Sequence, residues 1–123
     1  MPDDAGVIPV SEPYAGDDFY CDVALPDLAA LDVVHLSEHV VAYHHTRPFW
    51  PVHVVVVPRR HVPSFTDTTG ADEEVLRELL AVVRDVAAAV EAEHGAARVL
   101  TNLGAYQDSK HLHVHVSSGD ELR

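Results

Sequence analysis

Three histidines alternate with aliphatic residues near the end of the chain, in the segment HLHVH at residues 111–115. Side chains at every second position of a β-strand share one face, so His111, His113 and His115 are expected to point the same way. Neutral imidazole supports two kinds of chemistry. It binds zinc, and it also acts as a nucleophile without a separate base, because its ordinary pKa of about 6.5 leaves it largely neutral at pH 7.

A metal site made of all three histidines meets a geometric obstacle. At about 3.4 Å per residue, the Cα atoms of His111 and His115 lie roughly 13–14 Å apart in an extended strand, so the three rings do not converge easily on one ion. Two neighbouring histidines with a third ligand, such as His53, are still compatible with zinc. The metal interpretation therefore stays open at this point.

The second interpretation makes the central residue, His113, a nucleophile that attacks phosphorus. The phosphorylated imidazolium that forms is a good leaving group for water. Neighbouring hydrogen-bond donors would hold the phosphoryl oxygens and stabilise the charge that develops on them. This interpretation predicts a transfer reaction at a phosphate.

The charge of the chain restricts the ligand. The 123 residues carry a formal net charge of −12, from 20 acidic and 8 basic residues. Binding to a nucleic-acid polymer depends on many phosphate contacts from basic residues, so we expect no polymeric nucleic-acid partner. A small phosphorylated ligand remains compatible, provided that its site offsets the repulsive background locally.

The N-terminal sequence and the cysteine content indicate a cytoplasmic protein. The segment MPDDAGVIPVSEPYAGDD has neither a basic start nor a hydrophobic stretch, and no apolar run reaches membrane-spanning length, so no membrane partner is expected. The single cysteine, Cys21, excludes an internal disulfide and a Cys-x-x-Cys zinc knuckle. We expect it to be a small buried apolar residue.

The chain is expected to form one domain with a leading extension. Residues 1–17 are rich in Pro, Asp and Gly and predict an N-terminal extension, and residues 18–123 predict a single folded domain. At the start of that domain, DDFYCDVAL predicts a short helix that Pro26 ends. The Val-rich segments DVVHL and VVAYHH predict a β-hairpin.

The remaining segments predict three more strands and one long helix. VHVVVVP, which begins near His53, has little alternation and predicts a strand covered on both faces. ARVLTN and HLHVHV predict two further strands. A helix is predicted from Asp72 to about His94, with Asp72 as its N-cap and Gly95 at its exit.

The apolar face of that helix is wide. Its stripe consists of Val75, Leu79, Val82, Val86 and Val90, and it is widened by Leu76, Leu80, Val83 and Ala87. Packing against a sheet explains this face most simply, although it also suits a partner subunit. The predicted fold class is α+β, a five-stranded antiparallel sheet with one long helix and a short N-terminal helix.

The motifs resemble those of the histidine triad (HIT) family of nucleotide hydrolases and transferases. HLHVHVS is similar to the family signature His-φ-His-φ-His-φ-φ, where φ is apolar, except at Ser117. RPFWPVHVVVVPRRH looks like the family's Pro-x-x-Pro-x-His strand followed by a Pro-x-x-His turn. RVLTNLG is similar to the family's strand that ends in Asn, and the resemblance covers roughly residues 19–119.

The resemblance implies a HIT-like fold, a homodimer, a small purine nucleotide as the partner, and no cofactor or metal. It implies hydrolysis at the α-phosphate of purine nucleoside phosphoramidates through a nucleotidyl-histidine intermediate on His113. His115 would hydrogen-bond the phosphoryl group, and His111 would orient the nucleophile. His53 would complete the cluster by orienting a partner or handling a proton.

The resemblance also implies a set of substrate-binding residues. Asn102 and Gln107 would lie near the phosphate or the leaving group, and a shifted loop would let Ser109 and Lys110 supply the donors to phosphate that Asp108 lacks. The apolar surfaces of Phe49 and Trp50 suit either purine stacking or anchorage of their loop. Among the other basic side chains near the motif, Arg59 and Arg60 suit a solvated surface, and His61 is expected to be structural.

Two positions depart from the family pattern. His45 stands where the family often has an acid that binds the ribose hydroxyls, and Asp108 stands where a hydroxyl residue is common. A carboxylate beside a phosphate is repulsive unless a cation or proton intervenes. Three alternative functions therefore stay open: a dinucleoside-polyphosphate hydrolase, a nucleotide-binding module without turnover, and a His-ligated metal protein.

Overall fold

The computed structural model describes residues 18–122, so the predicted N-terminal extension lies outside the described residues. Five antiparallel strands form one sheet in the order β1-β2-β3-β5-β4. They are β1 at Val33–Leu36, β2 at Val40–His44, β3 at Val52–Pro58, β4 at Arg98–Leu100 and β5 at Val114–Ser118. With the long helix α1 at Glu73–His94, they confirm the predicted α+β fold.

The short N-terminal helix is present, but its form differs from the prediction. A π-helical turn at Tyr20–Ala24 runs directly into a 3₁₀ segment at Leu25–Ala30. Pro26 lies in the first turn of that second segment and does not end the first one, because a proline at a helix start gives up an N–H that has no partner there. A further 3₁₀ turn spans Gly104–Tyr106.

Strand β3 is buried on both faces, as its continuous run of valines predicts. On one face Val54 and Val56 pack in the cluster formed with α1. On the other face Val55 and Val57 pack in a cluster that contains Tyr20 and other residues of the N-terminal helical turns. The N-terminal turns thus cover the face of the sheet opposite to α1.

Helix α1 begins and ends as its terminal residues predict. The Asp72 carboxylate accepts a hydrogen bond from Val75 N at 3.0 Å, and Gly95 adopts a left-handed conformation with φ of 83°. The predicted stripe is buried against the sheet except for Val86, which is only partly buried. The predicted widening is wrong at Leu80, which is 61% exposed.

The histidine segment is less strand-like than predicted, because β5 begins only at Val114. The residues before it are held by other groups: Leu112 N donates to Val62 O at 2.7 Å, and Thr101 Oγ donates to His113 O at 2.8 Å. Of the three histidines, only His115 lies in the strand. Among residues 18–122, no helix has the length and apolar character needed to cross a membrane.

A glutamate of α1 forms hydrogen bonds with the turn between β1 and β2. Glu78 Oε2 accepts from Ser37 Oγ at 2.5 Å and from His39 N at 2.9 Å. The hydrogen bond from Ser37 is the main cause that lowers the pKa of Glu78 below its ordinary value. Ionised Glu78 therefore stabilises the folded chain.

We predict that Glu78→Gln lowers the free energy of unfolding at pH 7 by about 1 kcal/mol, as one charged acceptor is lost. Because the folded pKa is depressed, the difference from the unmodified protein should be present above the unfolded pKa of about 4.3 and shrink as the pH falls through the folded value. Urea titrations at several pH values measure this. Glu91→Gln, on the exposed side of α1, is the control, and an equal loss in both variants would contradict the assignment.

Candidate active site

A cavity of about 600 Å³ opens in front of the histidine segment. Six of the predicted site residues line it: His113, His115, Asn102, Ser109, His45 and Trp50. The rest of its wall is largely aromatic and includes Phe19, Tyr20, Tyr43, Phe49 and Tyr106. The cavity therefore combines apolar surface with a few polar groups, as ligand sites usually do.

His113 presents an unprotonated nitrogen to this cavity. Its Nδ1 lies 2.7 Å from the main-chain oxygen of His111, and since a carbonyl can only accept, Nδ1 carries the proton. The lone pair of the neutral ring is then on Nε2. The ring of Tyr20 packs against His113 with 4.8 Å between centroids and fixes its plane.

His115 presents a protonated nitrogen instead, because a chain of hydrogen bonds determines which of its ring nitrogens carries the proton. Phe49 N donates to His53 Nδ1 at 3.0 Å, so the proton of neutral His53 is on Nε2. His53 Nε2 lies 2.8 Å from His115 Nδ1 and donates to it. His115 therefore keeps its own proton on Nε2 and offers a donor.

Burial keeps these rings neutral. Burial is the main cause that lowers the pKa of His113, although its bond to the carbonyl of His111 acts in the other direction. Burial, and next to it the nearby His113, lowers the pKa of His115 to about 4. At neutral pH the site thus holds a neutral base beside a neutral donor.

His111 contacts the ring of His113 through its main chain, and its own ring does not line the cavity. The ring is fully buried, and its Nε2 donates to Pro58 O at 2.9 Å. Its Nδ1, which carries the lone pair, lies 3.3 Å from Cys21 Sγ and 3.4 Å from Asp18 Oδ1. The contact between His111 and His113 is thus made by the carbonyl group of His111 and not by its ring.

Four potential metal ligands meet behind the histidine segment. Asp18, Cys21, His61 and His111 each offer one atom, and these atoms lie within 4.8 Å of one another. His61 Nδ1 is 2.6 Å from Asp18 Oδ2. The expectation that Cys21 is a buried apolar residue is wrong, because its partly exposed thiol faces imidazole nitrogens.

Burial and neighbouring acids control the protonation of this cluster. Burial raises the pKa of the Cys21 thiol to about 11, with Asp18 and Asp22 adding to the effect. For Asp18, burial acts to raise the pKa. Hydrogen bonds from Cys21, together with the nearby His111 and His61, outweigh burial, so the pKa of Asp18 lies below its ordinary value. We call these four residues, Asp18, Cys21, His61 and His111, the rear cluster.

A second group of three histidines, His45, His53 and His115, also brings its ring nitrogens within 4.8 Å. At least four of its six ring nitrogens have partners. Main-chain N–H groups occupy Nδ1 of His45 and of His53, and His53 and His115 bond to each other. His53 and His115 therefore form a hydrogen-bonded pair at the cavity, and the ring of His45 stacks on His53.

Some predicted site residues are placed differently. Gln107 is buried and its Nε2 donates to Pro63 O at 2.8 Å, so it does not line the cavity. Lys110 Nζ donates to the main-chain oxygens of Gly104 and Gln107 at 3.3 and 2.8 Å. Ser109 does line the cavity, where its Oγ accepts from Phe19 N at 2.8 Å.

Trp50 anchors its loop and also lines the cavity. The guanidinium of Arg98 lies 5.4 Å from the centroid of its ring, and the ring of His53 lies 4.9 Å away on edge. Arg98 also donates to Ser117 Oγ at 3.0 Å. The loop that carries Trp50 is thereby fixed to β5.

Several site residues were missed by the sequence analysis. They are Asp18, Phe19, Tyr20, Tyr43, Thr46, Arg47, Leu100 and Tyr106. The aromatic members look like ordinary core residues in the sequence. The i, i+3 spacing of Asp18 and Cys21 was the one local signal, since one helical turn brings such residues to the same side.

Comparison with known proteins identifies a family whose model matches most of this chain. A family model described as HIT domain matches residues 29–122. A 13.2 kDa HIT-like protein from Azospirillum brasilense is 34% identical over 89 residues, which cover 70% of this chain and 73% of the relative.

Two solved structures show the same fold. A HIT family hydrolase from Legionella pneumophila superposes with a TM-score of 0.69 at 23% identity, covering 86% of this chain and 96% of that chain. A zinc-bound histidine triad family protein from Mycobacterium smegmatis superposes with a TM-score of 0.68 at 23% identity, covering 84% of this chain and 75% of that chain.

Proposed function

This chain belongs to the HIT domain family, and on that basis we propose that it is a nucleotide hydrolase acting at the α-phosphate of purine nucleoside phosphoramidates. The observation that carries the proposal is the lone pair on His113 Nε2, which faces a cavity beside a fixed donor on His115. A neutral imidazole so oriented is ready to attack phosphorus.

The first step is attack of His113 Nε2 on the α-phosphorus. A bond forms between nitrogen and phosphorus, and the bond to the amine breaks. The amine leaves with the electron pair and takes a proton from water. The proton on His113 Nδ1 stays bonded to His111 O, which stabilises the positive charge of the substituted ring.

The second step is attack of water on the nucleotidyl-histidine, which breaks the nitrogen–phosphorus bond, releases the nucleotide and regenerates the neutral ring. The attacking water gives up one proton to solvent, which balances the proton that the leaving amine took. In both steps His115 Nε2–H donates to a phosphoryl oxygen as charge develops there. His53 and Phe49 N–H keep that donor in place, since they fix which nitrogen of His115 is protonated. His53 is thus a positioning residue.

The purine and the ribose would occupy the aromatic part of the cavity. Phe19, Phe49 and Tyr106 line it, and flat aromatic surface suits a base. Asn102 lines the same cavity as His113 and is proposed to bind the phosphate or the leaving group. A dinucleoside polyphosphate offers the same reacting phosphorus, so such a hydrolase is the nearest alternative.

We also propose that the protein acts as a cytoplasmic homodimer. Edge strand β4 leaves Val99 51% exposed, and the nearby chain leaves Leu103 40% exposed. An edge strand with apolar side chains is suited to pair with a second copy. The exposed Leu80 of α1 adds to the apolar surface available for such a contact.

We predict that His113→Ala abolishes the release of AMP from adenosine phosphoramidate, because the nucleophile is lost, while AMP binding is largely retained. Turnover is measured by chromatography of the products and binding by calorimetry. Exposed His94 at the end of α1 supplies the matched control, and His94→Ala should turn over normally.

Equal turnover by His113→Ala and the unmodified protein would exclude His113 as the nucleophile. Absence of multiple turnover by the unmodified protein would instead favour the binding module. A higher kcat/KM for diadenosine polyphosphates than for the phosphoramidate would favour the dinucleoside-polyphosphate hydrolase.

A second function, metal binding, is favoured by the rear cluster. The thiol, the two imidazoles and the carboxylate are each groups that bind zinc, and four of them match the tetrahedral coordination that zinc prefers. The lone pair of His111 Nδ1 faces Asp18 Oδ1 at a distance of 3.4 Å. Both atoms are hydrogen-bond acceptors, so a cation bound between them would stabilise their close approach. The zinc-bound M. smegmatis protein has the same fold, but the inference rests on these four side chains.

The zinc ligands of the rear cluster differ from those that the histidine pattern suggested, which were two neighbouring histidines of the motif and His53. Of the alternating histidines only His111 belongs to the rear cluster, while His113 and His115 face the cavity. A bound metal would deprotonate the Cys21 thiol and His61 Nδ1 and would join the N-terminal turn to the histidine segment. Its role would be structural.

We predict that the purified protein contains stoichiometric zinc, measured by mass spectrometry of the metal, and that Cys21→Ser and Asp18→Asn lose most of it. Removal of zinc by a chelator should lower the melting temperature, since the N-terminal turn is released. His113→Ala should keep its zinc. Metal-free protein with an unchanged melting temperature after zinc addition would exclude the site.

A further inference from the structure

Two buried tyrosines of the cavity wall carry hydroxyl groups whose bonding the fold leaves open. Tyr20 and Tyr43 are 4% and 1% exposed, and both line the cavity in front of His113. In the part of the chain that the structure describes, neither phenolic hydroxyl has a hydrogen-bond partner. Buried polar groups of folded proteins are nearly always paired, and a buried group without a partner is destabilising. The two hydroxyls therefore indicate a ligand group that pairs with them.

We propose that Tyr20 and Tyr43 bind the two ribose hydroxyls of the nucleotide and thereby select ribonucleotides over deoxyribonucleotides. This inference rests on the proposed function and deepens it, because it names a feature that the substrate must carry. A phenolic hydroxyl donates one hydrogen bond and also accepts, and each hydroxyl of a ribose does the same. The two phenols, which we call the tyrosine pair, thus match a vicinal diol group by group.

Tyr20 lies beside the nucleophile. Its ring packs against the ring of His113 with 4.8 Å between centroids. The sugar of a nucleotide is joined directly to the α-phosphate, whereas the purine lies beyond the sugar. When His113 attacks the α-phosphorus, a hydroxyl carried by the ring next to His113 is nearer to the sugar than to the purine.

Tyr43 approaches the same space from the sheet. The strand register aligns Tyr43 with Val55 and Val55 with His115, so the three residues lie side by side on β2, β3 and β5. Because neighbouring strands are about 4.8 Å apart, roughly 10 Å separates the Cα atoms of Tyr43 and His115. His115 is the proposed donor to the phosphoryl group, so Tyr43 is placed for the sugar next to that group. Tyr20 and Tyr43 also pack in one buried cluster.

The charges around the tyrosine pair favour a neutral ligand group. Asp18 and Asp108 act electrostatically on the Tyr20 hydroxyl, and Tyr20 acts on the hydroxyl of Tyr43. Burial is the main cause that raises the pKa of both phenols, so both keep their protons at neutral pH. Nearby carboxylates repel a phosphate, but they do not repel a sugar hydroxyl, which is uncharged and both donates and accepts.

Calorimetric titration of the full chain with AMP, 2′-deoxy-AMP and 3′-deoxy-AMP tests the tyrosine pair. We expect AMP to bind about fivefold more tightly than either deoxy nucleotide, because each of them leaves one phenol without its partner. Tyr20→Phe and Tyr43→Phe should each weaken AMP binding by about fivefold and remove the discrimination against one of the two deoxy nucleotides. The double variant should bind all three nucleotides equally.

The melting temperatures of the variants provide an independent readout. Tyr20→Phe and Tyr43→Phe should melt at or above the temperature of the unmodified protein, because neither hydroxyl has a described protein partner to lose. A clear fall in both variants would overturn the premise that the hydroxyls are kept for a ligand. Thr66→Val, which removes an exposed hydroxyl outside the cavity, is the control and should leave all three affinities unchanged.

Equal affinity of the unmodified protein for AMP and both deoxy nucleotides would overturn the tyrosine pair, and so would discrimination that survives in the double variant. Variants that lose affinity equally for all three nucleotides would overturn the ribose assignment in favour of the purine. Discrimination without turnover of an adenosine phosphoramidate would support the pair while contradicting the proposed hydrolase. Turnover with equal affinities would do the reverse, and absence of AMP binding would contradict both.

Discussion

Main-chain groups decide which nitrogen of each site histidine carries its proton, and the rest of the site depends on this constraint. The carbonyl of His111 fixes the proton of His113 on Nδ1. The N–H of Phe49 acts through His53 to fix the proton of His115 on Nε2. Two chemically identical side chains thus present a nucleophile and a donor to the same cavity.

This arrangement requires a fold that buries the rings and pairs their polar atoms, apart from the two nitrogens that face the cavity. A neutral imidazole in an apolar setting needs a partner for its N–H, and unpaired buried donors cost roughly 1–3 kcal/mol. The sheet supplies the burial, while the loops supply the partners. The bonds from Thr101 and Leu112 hold the chain just before β5 in the position where the His111 carbonyl meets the ring of His113.

The regular elements could be predicted because periodic patterns determine them. The continuous apolar run of β3 and the spaced apolar residues of α1 are visible in the sequence, as are Asp72 and Gly95 at the helix ends. The start of β5 could not be predicted, because it depends on a loop that bonds to Val62 O.

The candidate site could be predicted only in part, for the same reason. The pattern identified the alternating histidines as a set, and the family resemblance added His45 and Trp50. His113, His115, His45 and Trp50 all line one cavity. It did not reveal that the His111 ring faces Asp18 and Cys21, since that contact joins residues about 90 positions apart. Gln107 was misplaced because its side chain bonds to Pro63 O, a loop partner without a local signal.

The protonation of the two histidine rings that face the cavity is the most direct test of this account. Two-bond proton–nitrogen NMR spectra of the ¹⁵N-labelled protein at neutral pH distinguish the tautomers of each ring. The account predicts a proton on Nδ1 for His113 and on Nε2 for His115, with the second assignment lost in His53→Ala. A His113 ring protonated on Nε2 would contradict it, since no lone pair would then face the reacting phosphorus.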